Sequence, residues 1–112
     1  MVGWREIYAG YLKAAGEMYL RRDLEGLERL LDIMEGAIFD ERALAEVRGE
    51  RARLEEAERI MRAGIEAEAK RETHPLRRAR ILAGLEDLRD WRLRETLRAH
   101  QRAAKKYGLV EE

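Results

Sequence analysis

Apolar side chains recur every three to four residues along most of the chain, the repeat of an α-helix that buries one face. Interruptions at 36–40 and at Thr73-His74-Pro75 divide the pattern into stretches of similar length, 4–36, 40–72 and 75–107. In the first stretch Trp4, Ile7, Tyr8, Tyr11, Ala15, Met18 and Tyr19 share a face. Asp23 is suited to restarting the helix, because Leu24, Leu27, Leu31, Met34 and Ile38 form a fresh stripe with Glu25, Glu28, Asp32 and Glu35 mostly outside it.

The second stretch aligns Leu44, Val47, Leu54, Met61 and Ile65, with Ala43, Ala57 and Ala69 at the margin. Roughly opposite runs a line of small residues, Ala45, Gly49, Ala52, Ala63 and Ala67. Small side chains let another backbone come close, and mid-helix Gly49, Gly64 and Gly84, each about 1 kcal/mol worse than alanine, point the same way. The third stretch carries Ile81, Leu82, Leu85, Leu88, Leu93, Leu97, His100, Ala104 and Tyr107 on a broad face that also holds Arg78, Arg89 and Arg92.

Capping residues sit where the pattern breaks. Asp40 is placed to cap a helix with Glu41 in its first turn, Thr73 or His74 precedes Pro75 at a helix start, and Gly108 suits a left-handed C-terminal cap. Alanine, leucine, glutamate and arginine, all strong helix formers, dominate throughout. The expected fold is an all-α antiparallel bundle of three long helices, or four if the first splits near Asp23, in one domain covering 1–112. Folding the last two stretches against each other about Pro75 makes opposed residue numbers sum to about 148. Glu58 then meets Arg89 or Arg92, and Arg51 meets Glu95. Glu55 to Arg59, Glu58 to Arg62 and Glu66 to Lys70 are further pairings at helical spacing on the solvent side.

Composition narrows the chemistry. Lys and Arg total 23 and so do Asp and Glu, so no net charge steers the protein toward nucleic acid or an anionic membrane. Cysteine is absent, which removes disulfides, thiolate nucleophiles and cysteine-based metal centres, and makes a cytoplasmic setting the expectation. Serine and asparagine are absent too, and arginine (19) far outnumbers lysine (4), a bias that resembles chains selected at high temperature. His74 and His100 are the only histidines, and neither lies in HExxH or in the Glu-x-x-His pairing of di-iron bundles. No glycine-rich phosphate loop and no apolar run of membrane-spanning length occurs. Arg94 and His100, with five residues between them, resemble the arginine-to-histidine spacing of HEPN ribonucleases, but seven residues in an arginine-rich chain do not establish membership. No catalytic residue, cofactor, metal or membrane partner is therefore expected.

The remaining readings concern surfaces. The first is a non-enzymatic protein–protein interaction or assembly module, self-associating, with Trp4, Tyr8, Tyr11, Tyr19 and the line Ala45, Gly49, Ala52, Ala63 and Ala67 facing a protein partner or a second copy. The alternative is nucleic-acid binding by the basic last stretch, Arg92 to Lys106, in which Arg94, Arg98, Arg102 and Lys106 recur every fourth residue beside Lys105.

Overall fold

A computed structural model describes residues 2–111 of the chain. The helices are α1 (Trp4–Leu20), α2 (Leu24–Gly36), α3 (Glu41–Arg71) and α4 (Pro75–Lys106), so the first stretch does divide in front of Leu24. The divide is a matter of local chemistry. At the end of α1, Asp23 N–H donates to the Met18 carbonyl at 2.9 Å and Arg22 N–H to the Tyr19 carbonyl at 3.1 Å. This paired closure requires a left-handed residue between the helices, and Arg22 takes it at φ 64°. The Asp23 carboxylate then accepts from Gly26 N–H at 3.0 Å and caps α2.

Gly26 matters here because a β-carbon at that position would collide with the Asp23 carboxylate. Asp23→Ala is expected to lower stability by about 1 kcal/mol through the lost cap. Gly26→Ala displaces the same carboxylate but gains up to about 1 kcal/mol of helix propensity, so its net change should be small, and on the Asp23→Ala background, where no carboxylate is left to displace, it should recover part of the loss. Urea unfolding of the three proteins measures this.

The other boundaries follow their expected signals. Asp40 caps α3, accepting from Arg42 N–H at 2.9 Å and Ala43 N–H at 3.2 Å. Its bond with the Arg42 side chain, followed by the Ala43 amide, holds the carboxyl below the usual range. Gly108, at φ 65°, closes α4, and Leu109 N–H reaches the Ala104 carbonyl at 2.9 Å while the leucine side chain is fully buried. Before α4 the chain departs from expectation in detail: His74 holds the cap position, yet neither its ring nor Thr73 supplies a cap bond. Pro75 has no N–H to cap, and the Glu72 side chain instead accepts from His74 N–H at 3.0 Å.

The helices run up, down, up and down. Arg5 reaches the Gly108 carbonyl and Arg22 reaches Asp90, so α1 lies antiparallel to α4. Arg48 pairs with Glu35, while Glu28 and Glu58 share Arg92, so α2 lies antiparallel to α3. Tyr8, Leu27, Met34, Val47, Leu93 and Leu109 fill the centre where all four helices gather.

The hairpin of α3 and α4 has the expected register at Glu58, which accepts from Arg92 Nε at 2.6 Å. The companion expectation fails. Arg51 does not meet Glu95; it binds Asp32 at 2.8 Å, Glu35 and Glu55, while Glu95 binds Arg98. The cause is α2, which lies over that side of α3 and offers its carboxylates nearer than α4 can. Glu28, assigned to solvent by the stripe pattern, likewise bridges Arg89 at 3.1 Å and Arg92 at 3.0 Å. Of the solvent-side pairs only Glu58 to Arg62 forms, loosely at 3.8 Å, whereas Arg59 turns back to Glu56.

Length then decides the shape. Helices of 31 and 32 residues span about 46–48 Å at 1.5 Å per residue, whereas α1 and α2, with 17 and 13, span about 20–25 Å. The short pair covers one half of the hairpin and leaves the other half, near residues 59–88, as a two-helix arm. The molecule is 60 × 27 × 19 Å with a radius of gyration of 16.8 Å, against about 13 Å for a compact chain of this length.

Candidate interaction surface

The arm contains little buried core. Of residues 59–88 only Ala69 and Leu88 are buried, while Ile60, Met61, Leu76 and Leu82 stand exposed and Ile65, Ile81 and Leu85 are half-buried along the seam. The seam itself is closed: Ile65 Cδ1 lies 3.6 Å from where a β-carbon on Gly84 would be, and Arg78 Nε donates to the Ala69 carbonyl at 3.2 Å. On one side of it runs an open groove lined by Glu66, Ala69, Lys70, Arg78 and Leu82.

Helical spacing identifies that side. Arg51, Glu55, Glu58, Arg62, Glu66 and Ala69 follow one another at three or four residues on α3, as do Arg92, Arg89, Leu85, Leu82 and Arg78 on α4. Toward the base these positions carry the ion pairs to α2; toward the tip they line the groove. The groove is therefore the vacant continuation of the trough in which α2 lies. Sequence reasoning missed it, although the signal was present: a first segment split at Asp23 cannot match an unbroken partner in length.

The aromatic residues proposed as contacts separate. Trp4 is 61% exposed and shares a shallow surface with Phe39, over which the Arg5 guanidinium sits at 6.0 Å. Tyr11 and Tyr19 are half-buried against the core. Tyr8 is fully buried and presents no surface in the folded chain. The small residues Ala45, Gly49, Ala52, Ala63 and Ala67 are all exposed. Open space surrounds Gly49 and Gly64, so no approach within the chain requires either glycine.

The basic residues of α4 are mostly matched with acids. Arg94 pairs with Asp90 at 3.7 Å, Arg98 with Glu95 at 2.9 Å, Arg102 with Glu50 at 3.7 Å, and Lys106 with Glu46. Opposite charge set alongside on the surface cancels much of the field a phosphate backbone needs. Among the described residues Lys105 joins no ion pair.

Two strongly perturbed titratable groups form a buried pair. His100 is 1% exposed, and its Nδ1 lies 2.5 Å from the Tyr8 hydroxyl. Burial lowers the imidazole to about 4, with the Glu35 carboxylate acting weakly the other way and Arg51 reinforcing the shift. Burial also pushes the Tyr8 phenol up, so both groups stay neutral and the hydroxyl donates to Nδ1, assigning the ring proton to Nε2. Arg94 is directed to Asp90 and the Tyr19 side of α1, apart from this pair, so the Arg94 and His100 spacing does not assemble a shared pocket. Among the described residues no three His, Asp or Glu side chains gather as a metal site, and no helix is long and apolar enough to cross a membrane.

Fold and surface together define an all-α bundle that carries a protruding helical hairpin with an unfilled trough. No family model matches the chain, and neither a curated protein nor a solved structure shows detectable similarity to it.

Proposed function

We propose that the protein is a non-enzymatic interaction and assembly module that self-associates, with the arm of α3 and α4 as its working surface. The observation carrying this reading is the area left open. The chain exposes 7522 Å², against about 6,400 Å² for a compact monomer of its mass. The excess, roughly 1,100 Å², exceeds the approximately 800 Å² each partner contributes to a stable interface. A bare two-helix arm with apolar residues along it gains little stability from helix propensity alone, and burial against a partner supplies what it lacks.

Catalysis finds no support in the site chemistry, because the buried histidine faces a phenol and the buried arginines face carboxylates. The nucleic-acid reading is weakened by the acids set beside Arg94, Arg98, Arg102 and Lys106. Light scattering on a sizing column at micromolar protein is expected to give twice the chain mass of 13.1 kDa, returning to a monomer on dilution. A strict monomer that also retains no protein partner overturns the proposal.

A further inference from the structure

The lips of the arm's groove describe their own occupant. Glu66 and Lys70 stand exposed on α3, four residues apart and opposite in sign, and among the described residues neither joins an ion pair within the chain. We propose that the groove is filled by the same groove of a second copy, the two arms lying antiparallel so that Glu66 of each copy meets Lys70 of the other. This deepens the assembly reading and rests on it.

The geometry follows from symmetry. A twofold axis crossing the hairpin at right angles brings α3 onto α3 and α4 onto α4 with the tips pointing in opposite directions. Pairing Glu66 with Lys70 fixes opposed residue numbers on α3 at a sum of about 136, and the hairpin register then sets the sum on α4 near 160. At that register Leu82 lies over the stem of Arg78 and Leu85 over Pro75, so the apolar floor of one groove meets that of the other.

Two further observations agree with it. The turn at Thr73–Pro75 of one copy reaches the level of residues 85–87 of the other, just short of Arg89, where Glu28 of α2 begins to cover the trough. The arms therefore overlap along their uncovered length without colliding with the bundles. Parallel docking about an axis along the helices fails this test, since it lays α3 of one copy over α4 of the other and, by the hairpin register, sets Lys70 against Arg78 and Glu66 over Leu82. The product is a central four-helix bundle built from two hairpins, continuous at both ends with the bundles that α1 and α2 complete.

The test is charge exchange read by sedimentation velocity, with far-ultraviolet circular dichroism confirming that each variant is folded. Glu66→Lys alone and Lys70→Glu alone each place like charges together twice per interface and are expected to weaken self-association by roughly tenfold or more. Mixing those single variants should restore a dimer containing one of each, because both cross-pairs become complementary. The double variant Glu66→Lys with Lys70→Glu should also recover wild-type behaviour, and Leu82→Glu should leave a folded monomer. A wild-type chain that stays monomeric overturns this docking and the self-association reading together. A wild-type dimer indifferent to the charge changes and to Leu82→Glu overturns the docking alone and leaves the assembly reading standing.

Discussion

Replacing Arg92 with alanine is expected to remove about 3 kcal/mol of folding stability, a large part of the roughly 5–15 kcal/mol that holds a domain of this size. The Arg92 side chain is only 13% exposed and Glu58 only 15%, and one guanidinium serves both Glu58, at 2.6 Å, and Glu28, at 3.0 Å. Burial opposes the charge on Arg92, yet its bonds to Glu58 and Glu28 more than compensate and hold the guanidinium firmly charged. Once the arginine is gone, Glu58, only 15% exposed, keeps only Arg62 at 3.8 Å, and Glu28 keeps only Arg89. The loss is therefore chiefly the cost of stranded carboxylates. A triple variant, Arg92→Met with Glu28→Gln and Glu58→Gln, should recover most of the stability by removing the charges together. Arg59→Ala is the contrasting case: its pair with Glu56 is largely exposed, and a change within about 0.5 kcal/mol is expected. Urea unfolding followed by circular dichroism compares the three directly.

Acid should unfold the protein earlier than its carboxylates alone dictate, through His100. The unfolded chain binds a proton on this ring near pH 6.5, while the folded chain resists until about pH 4. Between those values the unfolded state holds more protons, so stability falls as pH drops through the window. The full difference is on the order of 3 kcal/mol, present at pH 7 and lost by about pH 4. His100→Phe removes this dependence, and its unfolding midpoint should vary much less than that of the wild type between pH 7 and pH 4.5. Tyr8→Phe acts differently, because it keeps the titrating ring but leaves Nδ1 buried without its donor, at a cost of about 1–3 kcal/mol near neutral pH. Equal pH slopes in the wild type and His100→Phe would dismiss the histidine as the source.

Much of the fold was legible from neighbouring residues. Asp23, Asp40, Pro75 and Gly108 mark helix boundaries because capping depends on groups within a few residues of each other. That Glu58 meets Arg89 or Arg92 was legible too, since a hairpin closed by a short turn has little freedom in register, and the structure selects Arg92. The candidate surface was less so. Trp4, Ala45, Gly49, Ala52, Ala63 and Ala67 are exposed as an interaction reading requires, but helical periodicity could not distinguish Tyr8, which packs into the core, from Tyr11 and Tyr19 at its edge. Glu66, Lys70 and Leu82 looked like ordinary solvent-side and seam residues until the extent of α1 and α2 was known.

By itself, then, the sequence determined which segments are helical, where the two long helices end and that they pair as a hairpin, and it marked Asp23 as the place where the first stretch could divide, because hydrogen bonds and caps within a helix act over a single turn. Only the tertiary structure decided that α2 takes Arg51 and Arg89 for its own carboxylates, that Tyr8 and His100 share a buried bond, and that half the hairpin is left uncovered. Those outcomes depend on where one helix lies across another, and long charged side chains take whichever partner that placement brings within reach.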